Sequence, residues 1–395
     1  MVACGDDKEG DRGVGRENPE ISEEVTAANF LSGEQFCEYY KTLSYSEGGA
    51  KKVIEVTSQE IGRRISVPKN YKDPAQGQLE IYAWTNREFD PALPSLVIVD
   101  GGPGQNTHRS FKEDPIDFFP SGWNEIHFDQ RGLGCSTPAT FAEYKEASLY
   151  STENIILDMD EIRKAYGLEK WSVYGISYGT VPATRYAHQF GDQTKALVLE
   201  GVAFSGVDLH DPQWKADKGN AVIQSLSAEQ QKGFHKLMED EKYQLWMFQM
   251  VWNVGTSENG FRRLSDVLKE VIVSATDIRT DEIDKRFFGE DETDLYRKHT
   301  QYPGIVDNQI HRVIYCRELG GSKERYYPWY DLDLKKFVLT PPSQQDDAED
   351  CAARGITKDL EKPYLASDYP VSRPVTYFQG SHDGATLAKG AIQQI

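Results

Sequence analysis

Gly175-Ile176-Ser177-Tyr178-Gly179 holds the residues of this chain whose types and spacing best fit a reaction. A serine on a sharp turn exposes its hydroxyl as a nucleophile, and the residues two before and two after it must then be nearly free of side chain. The pattern carries weight only between a strand and a helix. Here Trp171–Tyr174 reads as a strand and Tyr178–Phe190 as a helix. Backbone N–H groups at the start of that helix face developing negative charge. A second glycine-rich stretch, Asp100-Gly101-Gly102-Pro103-Gly104, follows the apolar run Ser95–Asp100. Alone it reads as a plain turn. Upstream of a serine elbow, its N–H groups are expected to complete an oxyanion hole with the N–H of Tyr178. The chemistry is acyl transfer through a covalent serine intermediate, for which no metal or organic cofactor is expected.

Such a serine needs a base, and an acid that orients the base, in the chain order serine, acid, histidine. Asp383 fits the acid, one short loop (Gly380-Ser381-His382) past the strand-like run Val375–Gln379. The histidine must come later, and residues 384–395 hold none. His382 adjoins Asp383, so its ring points away. His108 follows the glycine loop, His127 lies inside a strand, and His188 is about three helical turns past Ser177. His210, His235, His299 and His311 fall in or near a later insertion, and a base from there is the alternative. The expectation is a chain that stops short of a last strand and helix, with its base beyond Ile395. Asp129–Ser136 (Asp-Gln-Arg-Gly-Leu-Gly-Cys-Ser) reads as a loop fixed by its own hydrogen bonds, shaping the rim of the site rather than reacting.

These residues need a scaffold. Residues 29–49 suggest a short helix. From 51 to 99 the signals are strands, including Arg64–Pro68 and Gln78–Trp84, with turns at Lys69-Asn70 and Asp73–Gly77. Buried strands then alternate with helices. Trp123–Asp129 is a strand, Ser151–Gly167 a helix with Ile155, Met159, Ile162 and Tyr166 on one face, and Ala196–Leu199 a strand. That alternation means a mostly parallel sheet with helices on both faces, an α/β fold. Residues 205–368 lose the alternation. They are acidic and aromatic, with helical patches such as Phe261–Ser274 and the Pro/Tyr-rich Tyr326–Tyr330, and a strand returns only at Pro374–Gln379. The expected division is a disordered tether over 1–28, core over 29–204, a mainly helical cap inserted over 205–368, and the rest of the core over 369–395.

Composition narrows the partners. Of 395 residues, 38% are hydrophobic, enough for a core. A net charge of −19 opposes binding to nucleic acid or to anionic lipid. No apolar run approaches the ~18 residues of a membrane span. Met1-Val2-Ala3-Cys4-Gly5-Asp6-Asp7 resembles the end of a bacterial lipoprotein signal, which makes Cys4 the lipid-bearing residue and any membrane contact a lipid anchor. That would leave Cys37, Cys135, Cys316 and Cys351, an even set that permits two disulfides in an exported protein.

Taken together, Gly101–Gly104, Asp129–Ser136, Tyr174–Thr180, Leu197–Val202 and Gly380–Leu387 resemble, in order and register, the α/β-hydrolase-fold serine exopeptidases of the proline iminopeptidase and tripeptidyl aminopeptidase family. The Tyr-Gly-x-Ser-Tyr-Gly-Thr form leans toward the tripeptidyl branch. The resemblance implies Ser177 as nucleophile, Asp383 as triad acid, and Gly102 and Tyr178 as oxyanion donors. It also implies a disulfide between Cys316 and Cys351, and an extracytoplasmic enzyme acting on peptides with a free N-terminus. The chain departs from the family at Asp100, where many members have histidine, and in the absence of the C-terminal histidine segment. An exopeptidase must hold a free α-ammonium, and Glu200 at a strand end is placed for it, although an ion pair at the core rim also fits. A carboxylesterase on the same elbow, and a degenerate hydrolase that only binds peptides, are the rival expectations.

Overall fold

A computed structural model describes residues 27–28, 30–41, 44–47, 50–53, 62–85, 87–105, 122–204, 212–240, 242–244, 246–247, 251, 258–287, 309–319, 327–340, 351, 356 and 364–379. In chain order the strands are β1 (Ser44–Glu47), β2 (Ala50–Val53), β3 (Arg63–Pro68), β4 (Gln78–Thr85), β5 (Ser95–Val99), β6 (Asn124–Phe128), β7 (Trp171–Ile176), β8 (Thr194–Glu200), β9 (Ile272–Ser274), β10 (Asp277–Ile278), β11 (Tyr327–Asp331), β12 (Lys336–Thr340) and β13 (Val375–Phe378). The helices are α1 (Gly33–Lys41), α2 (Phe141–Tyr144), α3 (Thr152–Ala165), α4 (Thr180–Gln189), α5 (Pro212–Gln224), α6 (Ala228–Leu237), α7 (Glu258–Val271), α8 (Thr280–Phe287) and α9 (Gln309–Glu318).

One sheet of seven strands carries the fold, in the order β13-β8-β7-β5-β6-β4-β3. From β13 to β6 the pairs are parallel, and β4 and β3 add an antiparallel edge. Every residue of β5 is buried, as expected of a parallel strand covered on both faces. On one face, Ile155, Met159 and Ile162 of α3 and Val181, Ala183 and Tyr186 of α4 pack on Val97, Val99, Val173 and Leu197. On the other face Leu96, Ile98 and Tyr174 form a smaller cluster with Trp123, Ile176 and Val198. The ends of α3 follow from its sequence. Ser151 Oγ accepts the Asn154 N–H at 3.0 Å as N-cap, and Gly167 ends the helix at φ 69°.

The chain leaves the sheet after β8 and returns at β13, its parallel neighbour. The stretch between, expected as a cap, divides in two. Residues of α5 to α8 and of β11 and β12 build their own core around Phe234, Trp246, Leu268, Ile283 and Phe337. By contrast α9, Cys351, Ile356, Tyr364 and Ala366 pack into the core of the sheet. Of the Pro/Tyr-rich segment, Tyr327–Asp331 forms one strand of a hairpin, and Phe261–Ser274 is helix only to Val271 before turning into β9.

Two disulfides join distant segments: Cys37 to Cys135, 98 residues apart, and Cys316 to Cys351, 35 apart. The first ties α1 to the loop after β6; the second ties α9 to the segment that leads back to the sheet. Cys4 lies outside the described residues. Closing a 35-residue loop removes about 4 kcal/mol of unfolded-state entropy at most. Replacing Cys316 and Cys351 together by serine is therefore expected to lower the unfolding free energy by about 2–4 kcal/mol. An unchanged denaturation midpoint would contradict that linkage.

Candidate active site

β5 has β6 on one side and β7 on the other, so chain order reverses between β5 and β7. In an open parallel sheet the crevice at the C-terminal ends of such a pair is where ligands bind. The two glycine-rich segments emerge at those ends. β7 finishes at Ile176, Ser177–Gly179 make one turn of 3-10 helix, and α4 starts at Thr180. Ser177 has φ 53°, in the left-handed region that L side chains avoid.

Its neighbours explain how that conformation is held. A Cβ on Gly179 would lie 1.9 Å from the Val99 carbonyl oxygen, and one on Gly175 would lie 2.5 Å from the Gly179 oxygen. The elbow is thus pressed against the end of β5, with no room for a side chain at either glycine. Thr180 Oγ1 locks it further, donating to the Ser177 carbonyl at 2.7 Å and accepting the Ala203 N–H at 2.9 Å. The loop after β5 reaches the serine itself. A Cβ on Gly101 would sit 3.1 Å from Ser177 Cβ, and Gly102, at φ 109°, lies exposed beside it. The structure therefore brings Ser177, Tyr178 and the Gly101-Gly102 turn together. Asp383 and His382 lie outside the described residues, as does His108.

Tyr178 turns its side chain inward. The ring is buried and its hydroxyl is 2.9 Å from Thr152 Oγ1. Burial, then the nearby Glu318 charge, push the phenol well above its usual range, so it stays protonated.

The Asp129–Ser136 loop is held by its own hydrogen bonds, with one partner that spacing does not reveal. Asp129 Oδ2 accepts the Cys135 N–H at 2.8 Å, and Ser136 Oγ donates to the Asp129 carbonyl at 2.8 Å. Gln130 Nε2 donates to the Asp100 carbonyl at 3.1 Å, joining this loop to the one beside Ser177. Arg131 ignores Asp129 and forks onto Asp158 of α3, with Nε at 2.7 Å from Oδ2. Three of the described histidines are engaged elsewhere. His127 is buried and stacks on Trp84 at 4.0 Å; His188 Nδ1 is 2.8 Å from the Pro370 carbonyl; His235 Nδ1 is 3.4 Å from the Tyr330 hydroxyl.

Glu200, half-buried at the end of β8, pairs in register with Ile176, the residue before the serine. Its carboxylate accepts the Tyr174 hydroxyl. Burial, then Glu200, push that phenol up, so Tyr174 remains the donor. Sequence reasoning missed the buried group behind Tyr178. Glu318 of α9 takes the Thr152 N–H at 2.8 Å and Arg185 Nη1 at 3.1 Å. Nothing in local spacing signals a contact between residues 166 or 133 positions apart.

The family profile described as the α/β hydrolase fold matches residues 94–225, which include both glycine segments. A probable proline iminopeptidase of Streptomyces coelicolor is 34% identical over 114 residues, 29% of this chain and 34% of that protein. A probable proline iminopeptidase of Leptolyngbya boryana is 34% identical over 113 residues, 29% of this chain and 33% of that protein. The chain thus spans about a third of the length of the curated relatives it matches. The crystal structure of a Mycobacterium smegmatis proline iminopeptidase overlaps with a TM-score of 0.35 at 17% identity, covering 54% of this chain and 69% of that one. The protein has the α/β-hydrolase fold, and over part of its length it is similar to proline iminopeptidases.

Proposed function

We propose that the protein is a serine aminopeptidase that releases N-terminal residues or short peptides through an acyl-enzyme on Ser177. The observation that carries this reading is the serine held at φ 53° on a glycine-lined elbow, against a second glycine turn. Similarity to proline iminopeptidases supports a peptide substrate over a simple ester. In the proposed reaction Ser177 Oγ attacks the scissile carbonyl carbon and passes its proton to a histidine base oriented by Asp383. The N–H groups of Tyr178 and Gly102 hold the oxyanion. The leaving amine takes the proton from the imidazolium, and water then releases the acyl group by the same steps in reverse. Glu200, beside Ile176 in the sheet register, is our choice for the carboxylate that receives the substrate ammonium.

We further propose that the protein works outside the cytoplasm, lipid-anchored through Cys4. Its two disulfides support an oxidising compartment. The test of activity compares peptide anilides with free and with acetylated N-termini. Free substrates are expected to be cleaved with kcat/KM at least ~100-fold higher, the scale of a lost buried charge-assisted contact. Equal rates on both would sink the aminopeptidase reading, and turnover of short acyl esters alone would replace it with an esterase.

A further inference from the structure

We infer that Glu318, contributed from the stretch between β8 and β13, is a positioning residue for the oxyanion-hole donor Tyr178. The inference rests on the reading of Ser177 as nucleophile. A backbone N–H donates usefully only if it points where the oxyanion will form, and at Tyr178 the buried side chain fixes that direction. Tyr178 is 3% exposed and its hydroxyl meets Thr152 Oγ1 at 2.9 Å. Thr152 is the first residue of α3. Its own N–H, unpaired within the helix, is taken by Glu318 Oε1 at 2.8 Å. The other oxygen, Oε2, accepts from Arg185 Nη1 at 3.1 Å, and Arg185 lies on α4, the helix that the elbow opens. One carboxylate therefore ties α3, whose Thr152 meets the Tyr178 hydroxyl, to α4, the helix that the elbow opens.

Glu318 is itself held from three sides. Its backbone carbonyl accepts the Tyr364 N–H at 2.8 Å. Cys316, two residues earlier, is bonded to Cys351. Arg185 is braced by Glu153 Oε2 at 2.8 Å and by the Tyr369 ring, whose centroid is 5.2 Å from Cζ. An apolar contact could pack α3, α4 and α9 at less desolvation than a buried ion pair. What the carboxylate adds is direction: two acceptor oxygens aimed at one N–H on α3 and one guanidinium on α4. A misplacement of a fraction of an ångström at the oxyanion lowers rate steeply.

Glu318→Gln keeps an acceptor but removes the charge; Thr152→Val removes the hydroxyl that meets Tyr178 and keeps the N–H that meets Glu318. Both are measured in the full chain against an unblocked peptide anilide. Inhibition by a peptide aldehyde, which forms a tetrahedral oxyanion on Ser177, is compared with inhibition by the product peptide, which does not. Each variant is expected to lose about tenfold in kcat per titrated active site, and the same factor in aldehyde affinity, part of what a lost oxyanion donor removes. KM and product affinity should stay within about twofold. A merely structural role would lower the melting temperature and leave kcat and aldehyde affinity per active site unchanged, and that result overturns the inference. If Glu318→Gln does not fold, Thr152→Val decides. A wild type whose turnover survives Ser177→Ala overturns the Ser177 reading and this inference with it; a wild type that needs Ser177, with unaffected Glu318 and Thr152 variants, overturns this inference alone.

Discussion

Ser177→Ala is expected to lower kcat by about 10⁴- to 10⁶-fold with KM within about twofold of the parent. The substitution removes the only atom that forms the covalent bond. It leaves Cβ in place, near the spot where Gly101 closes on the elbow. Alanine also keeps a side chain at φ 53°, so the turn and its strain persist. What survives is the catalysis that oxyanion donors and substrate binding give to a water attack, which is why the loss has a floor. A fluorophosphonate probe should label the parent and not the variant, which separates true residual turnover from contamination. Ser177→Gly should match the loss in kcat and melt no lower than Ser177→Ala, because glycine adopts φ 53° without the ~1 kcal/mol an L side chain gives up there. A variant that keeps more than about 1% of parental kcat would remove Ser177 from the mechanism.

The parts of the site that were legible in the sequence are those written in consecutive residues. The elbow needs two glycines because Val99 and Gly179 carbonyls leave no space for a Cβ, and both glycines stand two positions from the serine. The loop Asp129–Ser136 bonds to itself through Cys135 N–H and Ser136 Oγ, so its two glycines and its aspartate were readable together. The sheet was readable because strands buried on both faces are short apolar runs. What stayed hidden depends on residues far apart in the chain. Glu200 suggested an ammonium site or an ion pair; its partner is a tyrosine hydroxyl on the next strand, 26 residues away. α9 carries a short apolar stripe, Ile310, Val313 and Ile314 at i, i+3 and i+4, which enters the sheet core. That stripe marks a helix but not its partner, and nothing in it signals that Glu318 is buried against Arg185. The hairpin of β11 and β12 is hidden for another reason: a proline inside Tyr327–Asp331 argues against a strand unless the strand is an edge, and this two-stranded ribbon is all edge.

The same limit applies to Arg131, and there it sets the second large effect. The Arg131 and Asp158 side chains are 0% and 1% exposed. Removing one partner from such a pair leaves an uncompensated buried charge, so Arg131→Met and Asp158→Leu are each expected to lower the unfolding free energy by about 3–5 kcal/mol. The guanidinium also donates to the Lys69 carbonyl at 2.9 Å and the Leu149 carbonyl at 3.1 Å, so it fastens the turn after β3 and the approach to α3 at once. Tyr71 joins the group, its hydroxyl 2.8 Å from Asp158 Oδ1 and held protonated by burial and by that charge. The double variant should lose less than the sum of the single losses, by roughly 1–3 kcal/mol, because it strands neither charge. Equilibrium urea unfolding of the four proteins measures this, and strict additivity would mean that the two residues do not act as a pair. A pH series adds a sign. Burial already pushes the Asp158 carboxyl above its usual range, with Arg131 opposing. Without Arg131 the folded state binds that proton more tightly still than the unfolded chain does, so folding gains on proton uptake. The deficit of Arg131→Met should therefore narrow as pH falls from neutral toward the carboxylate range, the reverse of a pair that acid breaks. A deficit that widens with acid would show that the carboxylate stays ionised and finds another cation.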